Sequence, residues 1–183
     1  MRTTSSQNPK VTLRPATESD AAALSRVQEA AWKTAYSEIF PRSFLDAFHV
    51  PESRWAERMS AGVGMLVSTE RDRVVGYSSY AAADDPGWGE LRAIYVDPGF
   101  QGRGHGSRLL EATEAAIDYR GYESALLWVI DRNTSARTFY ENRGWTLGAP
   151  FRLEDIGGTQ VTLVRYETGL RSGSEQPRRL LDR

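Results

Sequence analysis

The sequence predicts a single mixed α/β domain, with helices flanking a central sheet that is antiparallel at first and parallel later. Segments with strand-like alternation or apolar runs are interleaved with segments of helical periodicity. A glycine-rich turn also joins one predicted strand directly to a predicted helix. We expect a flexible N-terminus over residues 1–10, the domain over 11–167, and a disordered tail over 168–183, which is rich in Ser, Gly and Arg.

The N-terminal half begins with a short predicted strand at residues 11–14, where apolar and polar side chains alternate before Pro15. Residues 21–35 place apolar side chains on one face, which predicts a helix. Pro41 and Pro51 punctuate an aromatic segment that favours two further short helices.

The remaining elements follow from the same periodicities. We predict a hairpin at 65–69 and 74–83, a strand at 91–96, a helix at 107–119, a buried strand at 125–129, a helix at 136–143 and a last strand at 160–166. Because a helix joins the strands at 91–96 and 125–129, these two strands should be parallel.

The composition excludes several classes of function. The net charge of −1 favours neither nucleic acid nor an anionic membrane as a partner. The absence of cysteine excludes disulfides, thiolate metal sites and a cysteine nucleophile. With two histidines, His49 and His105, a metal site would need carboxylate ligands as well, and the carboxylates show no ligand-like spacing, so we expect no metal. The start is polar and no apolar run reaches about 18 residues, so we expect a cytoplasmic protein.

Residues 101–107 form the most informative segment. Its glycines at positions 102, 104 and 106 permit positive φ angles and let backbone N–H groups converge, and the helix that follows adds its positive dipole end. Such a turn is suited to an anion, most often a pyrophosphate. Ser107 follows Gly106, which excludes the dinucleotide pattern G-x-G-x-x-G, and no Gly-Lys-Ser/Thr ends the turn, so NAD and ATP are disfavoured.

Two motifs give the chain a family resemblance. Gln101, Gly104 and Gly106 fit Q-x-x-G-x-G after a strand, and residues 133–145 fit N-x-x-A-x-x-x-Y-x-x-x-G-[FWY]. With both motifs in this order, the sequence resembles the GCN5-related N-acetyltransferase (GNAT) family. The resemblance implies that the parallel strands splay apart and that acetyl-coenzyme A is the co-substrate, with its pantetheine arm in the gap.

The resemblance also implies which residues bind the coenzyme. Backbone groups of the strand at 91–96 would bond the pantetheine arm and the glycine turn would surround the pyrophosphate, while Gln101 stands where many relatives carry arginine. The expected coenzyme-binding residues are Tyr95, Val96, Gln101, Gly102, Arg103, Gly104, His105, Gly106, Ser107 and Asn133.

Two residues are candidates for proton transfer. Tyr140 matches the family tyrosine that protonates the coenzyme thiolate, although its helical face is also typical of a core aromatic. Glu90 is the candidate general base, because an alkyl amine with a pKa of about 10.4 must lose a proton at a cost of about 4.6 kcal/mol at pH 7. The alternative is that Glu90 is a solvated charge at a strand end.

The acceptor is expected to be a small-molecule or peptide amine, contacted by Glu29, Trp32 and Tyr36 unless these residues serve packing and solvation. Direct attack by the amine is favoured because no cysteine can carry the acyl group. A non-catalytic acyl-coenzyme A binding module and transfer of a longer acyl chain stay open as alternatives. A homodimer is compatible with the sequence, but no particular feature specifies it.

Overall fold

A computed structural model describes residues 11–170, so the predicted flexible N-terminus and all but the first residues of the predicted tail lie outside the described residues. Seven strands and five α-helices occur in this part of the chain. The strands are β1 (Thr12–Pro15), β2 (Gly64–Glu70), β3 (Arg73–Ala82), β4 (Trp88–Val96), β5 (Ser124–Ile130), β6 (Thr146–Ile156) and β7 (Thr159–Gly169). The helices are α1 (Ala21–Ala35), α2 (Arg42–Ala47), α3 (Ser53–Ser60), α4 (His105–Tyr119) and α5 (Thr134–Glu141).

The strands form one mixed sheet in the order β1-β2-β3-β4-β5-β7-β6. β4 and β5 are parallel, and every other neighbouring pair is antiparallel. The prediction of a mixed α/β fold with one parallel strand pair is therefore confirmed.

β4 and β5 separate part of the way along their length. Their pairing runs from Trp88 opposite Ser124 to Leu91 opposite Leu127 and ends there in the described structure. At the same point β4 has a bulge against β3, because Ser79 faces Ala93 while Tyr80 faces Leu91. The rest of β4 and the end of β5 therefore border a gap in the sheet.

Helices cover both faces of the sheet. α4 and α5 close one face over a core that includes Leu110, Ile117 and Tyr140. α1 and α3 cover the other face, where Leu24 and Trp55 pack with strand residues. The gap between β4 and β5 therefore opens between two helical layers.

The starts of β4 and α4 are two of the element boundaries that differ from the sequence prediction. β4 begins at Trp88, three residues early, since Gly89 lets α4 cross closely: a Cβ there would lie 2.1 Å from Cγ2 of Ile117. α4 begins at His105 rather than 107 because Gly104 serves as its N-cap with φ of 87°. Among the described helices, none has the length and apolar character needed to cross a membrane.

Candidate active site

Asp97 anchors the start of the glycine loop at the end of β4. Its carboxylate accepts a hydrogen bond from the amide of Gly99 at 3.0 Å and pairs with Arg26 at 3.0 Å and Arg73 at 3.2 Å. Gln101 then donates from Nε2 to the carbonyl of Val96 at 3.3 Å. These contacts hold the loop against the last residue of β4.

The N-terminus of α4 presents free backbone donors. The first helical hydrogen bond of this end runs from the amide of Arg108 to the carbonyl of Gly104 at 3.1 Å. The amides of His105, Gly106 and Ser107 therefore have no partner within the helix. A Cβ at Gly104, which has positive φ, would meet nothing within 4 Å, so the loop is open on that side. This is the geometry of an anion site.

The side chains of Arg103 and His105 both reach Glu70 on β2. His105 is fully buried, with Nδ1 2.7 Å from Oγ of Ser68 and Nε2 3.3 Å from Oε2 of Glu70. Arg103 pairs with the same Glu70 at 3.1 Å and donates to the carbonyl of Gly99 at 3.0 Å. The His105 ring is thus buried away from the pyrophosphate contact that we expected of it, whereas the Arg103 side chain is 48% exposed at the edge of the loop.

Arg143, which the sequence analysis did not single out, lies on the opposite side of the loop. Its guanidinium stacks 3.9 Å from the centre of the Phe139 ring and donates to Oγ of Ser107. The Phe139 ring in turn packs against Gly106, 3.4 Å from where a Cβ would stand. Arg143 lies in the turn just after α5, and its four-residue spacing from Phe139 was the available sequence signal.

Tyr36, Tyr95 and Tyr140 lie close together where the two parallel strands separate, and we call them the tyrosine cluster. Trp32 donates from Nε1 to the Tyr95 hydroxyl at 3.0 Å. Burial raises the pKa of Tyr140 and of Tyr36 well above the usual value, and the neighbouring phenols raise both further. These hydroxyls therefore stay protonated at neutral pH and are available as donors.

Asn133 caps the helix that carries Tyr140. Its Oδ1 accepts a hydrogen bond from the amide of Ala136 at 3.1 Å, the usual role of Asn at an N-cap. Burial raises the pKa of Tyr36, and a hydrogen bond from Asn133 offsets a small part of that rise. Asn133 thus joins the N-terminus of α5 to the tyrosine cluster.

Glu90 lines a shallow, solvent-open cleft beside the splayed strands. Its side chain is 22% exposed, and its Oε2 lies 3.4 Å from Nε of Arg92. Trp128, whose ring Arg152 covers at 4.0 Å, lines the same cleft. Arg165, also in the cleft, pairs with Asp85 and with Glu167. Glu90 is thus a partly exposed carboxylate among guanidinium groups.

The three residues expected at the acceptor are engaged in packing. Glu29 accepts a hydrogen bond from the amide of Val50 at 2.9 Å and pairs with His49 at 2.8 Å. Trp32 stacks on Phe48 with ring centres 4.1 Å apart, and Tyr36 is 8% exposed. These contacts favour the packing alternative for Glu29, while Tyr36 belongs to the tyrosine cluster and Trp32 borders it.

Comparison with known proteins gives one consistent result. The profile of the Acetyltransferase (GNAT) family matches residues 26–145. The chain is 32% identical to the uncharacterized N-acetyltransferase YuaI of Bacillus subtilis over 72% of its own length and 78% of that protein. It is 30% identical to a mycothiol acetyltransferase of Propionibacterium freudenreichii over 69% of its length, which spans 40% of that longer protein.

Solved structures agree at the level of the fold. A GCN5-related N-acetyltransferase from Rhodopseudomonas palustris superposes with a TM-score of 0.71 at 23% identity, over 90% of this chain and 97% of the other. PaiA N-acetyltransferase from Thermoplasma acidophilum, in complex with coenzyme A, has a TM-score of 0.67 at 17% identity, over 87% and 99%. YncA from Salmonella typhimurium, with acetyl-CoA, has a TM-score of 0.68 at 21% identity, over 92% and 98%.

Proposed function

Since the chain belongs to the GCN5-related N-acetyltransferase family, we propose that it transfers the acetyl group of acetyl-coenzyme A directly to a primary amine. This proposal rests on three features that lie next to one another. They are the open N-terminus of α4, the gap between β4 and β5, and the tyrosine cluster at the point where these two strands diverge. Together they suit an elongated ligand with an anionic centre and a reactive end.

The loop fits the pyrophosphate of the coenzyme. Three consecutive backbone amides, those of His105, Gly106 and Ser107, are unpaired within the helix, and the helix dipole favours negative charge there. Arg143 adds a guanidinium at Ser107, which offsets the lack of an arginine at Gln101. Two structurally similar proteins contain coenzyme A or acetyl-CoA, which supports this choice of ligand.

The gap between the strands fits the pantetheine arm. The backbone of β4 beyond Leu91 pairs with β3 but has no partner from β5 in the described chain, so the edge that faces the gap can bond to a ligand; the carbonyl of Val96 already accepts a hydrogen bond from Gln101. Tyr95 and Val96 lie on this stretch. A β4 amide facing the gap is the candidate to polarise the thioester carbonyl, an effect worth about 3 kcal/mol at other acyl-transfer sites.

Glu90 is the group best placed to take a proton from the amine. It lies on β4 just before the strands diverge, in a cleft that water can enter. Arg92 holds this carboxylate in an ion pair, with Nε 3.4 Å from Oε2. An ammonium substrate can therefore lose its proton to this carboxylate directly or through one water.

Tyr140 is the group best placed to deliver a proton to the leaving sulfur. The acceptor nitrogen loses a proton as the new C–N bond forms, and the sulfur gains one as the C–S bond breaks. The raised pKa of Tyr140 makes a lasting phenolate unfavourable, so the hydroxyl would pass its own proton on only while regaining another. Acetyl-coenzyme A supplies the acetyl thioester in this reaction.

The first test is calorimetric titration with acetyl-coenzyme A, using ATP and NAD as controls. We expect selective binding of the coenzyme, followed by release of free thiol when primary amines are added. Binding without acetylation of any amine would favour the non-catalytic module, and competition between acetyl and longer acyl thioesters would define the chain length. Absence of binding up to millimolar concentration would contradict the proposed function.

A further inference from the structure

β6 carries most of the large apolar side chains that are exposed among residues 11–170. Leu147, Phe151 and Leu153 are each more than half exposed, and Tyr119 at the end of α4 is the one further example in this range. Each of the three lies opposite an even-numbered residue of β7, so they share one face of the sheet. Apolar side chains that are gathered on one surface, rather than scattered, indicate an interaction site.

The outer edge of β6 is open to another strand in the described structure. β6 is the last strand of the sheet, and its neighbour there is β7. Residues 151–156 pair with β7 without interruption, but the register shifts between Leu147 and Phe151. Pro150, which has no backbone N–H to donate, lies within that interruption. Residues 151–156 therefore form a continuous edge that another strand can extend.

The charges of β6 are complementary to themselves. Arg152 and Glu154 alternate with the apolar positions and so lie on the other face of the strand. If two copies of β6 pair antiparallel about a two-fold axis at Leu153, each Arg152 lies opposite Glu154 of the partner subunit. An axis one residue earlier or later would instead place arginine opposite arginine or glutamate opposite glutamate. Charge therefore selects the register centred on Leu153.

From this pattern we propose that β6 pairs with β6 of a second copy of this chain, antiparallel and centred on Leu153, so that the protein is a homodimer with one continuous sheet. Leu153 would lie opposite its own counterpart. Phe151 would lie diagonal to that leucine, within the reach of an aromatic side chain. The net charge of −1 leaves little overall repulsion between two copies.

Arg152 is available for this pairing. It has no ion-pair partner among the described residues, and neither has Glu154. The guanidinium of Arg152 stacks on the ring of Trp128 at 4.0 Å, a surface contact of similar strength to the ion pair that would replace it. The interface thus pairs Arg152 with Glu154 and shields Leu153 from water.

Sedimentation equilibrium of the full chain across the micromolar range tests the association, and we expect a monomer–dimer equilibrium. Leu153→Lys sets two ammonium groups opposite each other at the axis and should raise the dissociation constant by about tenfold or more. Tyr119→Lys, which changes an exposed apolar residue on α4, is the matched control and should leave that constant unchanged. A chain that stays monomeric at every concentration, or a dimer that Leu153→Lys leaves intact, overturns the proposal.

A charge exchange tests the register. Arg152→Glu alone would place two carboxylates opposite each other, and Glu154→Arg alone would place two guanidinium groups opposite each other. Because each clash occurs twice in the dimer, either change should raise the dissociation constant by about fivefold or more. The combined variant restores opposite charges and should return to within about threefold of the wild type. Both positions are exposed, so the variants should fold, which thermal melting checks. Single variants without effect, or a combined variant that recovers no affinity, overturn the pairing centred on Leu153.

Discussion

Tyr140 combines near-complete burial with a position at the strand divergence. Its ring packs between those of Phe139 and Trp145, so the core-aromatic alternative describes the ring correctly. Burial and the neighbouring Tyr95 raise the pKa of its hydroxyl. The residue can therefore serve packing through its ring and proton transfer through its oxygen, and only a change confined to the oxygen separates the two roles.

Tyr140→Phe should lower kcat by about 10²-fold while the KM for acetyl-coenzyme A changes less than about twofold. The substitution removes one oxygen and leaves the packed ring in place. Steady-state kinetics on the wild type and variant measure the effect. Tyr166→Phe is the matched control, because Tyr166 is a buried neighbour whose hydroxyl bonds to Glu141 and Arg137. Unchanged turnover in Tyr140→Phe would remove this residue from the mechanism.

Glu90→Gln should change the pH dependence of the reaction. Without the carboxylate, an amine must lose its proton to solvent, so kcat/KM should fall by about 10- to 100-fold at pH 7. The deficit should shrink as the pH approaches the pKa of the amine, about 10.4. Rates measured from pH 6 to 10 test this, with the exposed Glu154→Gln on β6 as the control. Parallel profiles for wild type and Glu90→Gln would argue against Glu90 as the base.

Single residues show where sequence reasoning succeeds and where it stops. The glycines of the loop were recognisable because positive φ and helix capping leave a local signature. The family resemblance put His105 among the residues expected to bind the coenzyme, yet its ring is buried because Ser68 and Glu70, about 35 positions earlier, satisfy its nitrogens. Partners that distant in sequence leave no local pattern.

At the level of elements, the contact between β2 and α4 holds the coenzyme loop from behind. His105 is the first residue of α4, and its ring joins Ser68 and Glu70 at the end of β2. Glu70 also pairs with Arg103 of the loop itself. The position of the anion-binding amides therefore depends on a buried polar contact between two elements.

His105→Leu should weaken acetyl-coenzyme A binding more than it lowers kcat. It leaves the buried hydroxyl of Ser68 without its partner, at a cost of about 1–3 kcal/mol, removes one of the two partners of Glu70, and releases the start of α4. His105→Gln, which can still hydrogen-bond to Ser68, should restore part of the affinity. Calorimetry gives the affinities, thermal melting checks folding, and the exposed His49→Leu is the control. Wild-type affinity in a folded His105→Leu variant would contradict the anchoring role.

Element types were predictable where periodicity is strong, as in α1, α4 and β5. The bulge in β4 and its early start at Trp88 were not, because both depend on neighbours: β3 across the sheet and Ile117 on α4. The same limit applied to Glu29, whose partners His49 and Val50 come from the segment before α3. The motifs thus give specific predictions for the coenzyme side of the site, whereas the acceptor side has no such local signature.

For the whole molecule, one buried ion pair predicts how folding responds to acid. Asp20, 5% exposed, accepts two hydrogen bonds from Arg14 at 2.7 and 2.8 Å, which ties β1 to the start of α1. Hydrogen bonding from Arg14 is the main reason that the pKa of Asp20 is lowered to about 2 from its usual value of 3.8. A lowered pKa means that this stabilisation is complete above pH 4 and is lost as the pH falls towards 2.

Asp20→Asn should therefore lower the free energy of unfolding at pH 6 and flatten its decline between pH 4 and pH 2. Urea unfolding at pH 6, 4 and 3 measures both effects. Asp46→Asn is the control, since Asp46 is exposed in its pair with Arg42 and should contribute little. An equally steep acid decline in wild type and Asp20→Asn would show that other carboxylates govern acid unfolding.

The separation of β4 from β5 has a mechanical consequence. In the described chain, strand pairing joins the two parts of the sheet, β1–β4 and β5–β7–β6, through four residue pairs between β4 and β5. A ligand that forms hydrogen bonds with both β4 and β5 across the gap would act like an inserted strand. It would join the two weakly coupled parts of the sheet into one cooperative unit. Amide hydrogen exchange at Trp128–Ile130 and along the second half of β4 should then slow together when the coenzyme binds.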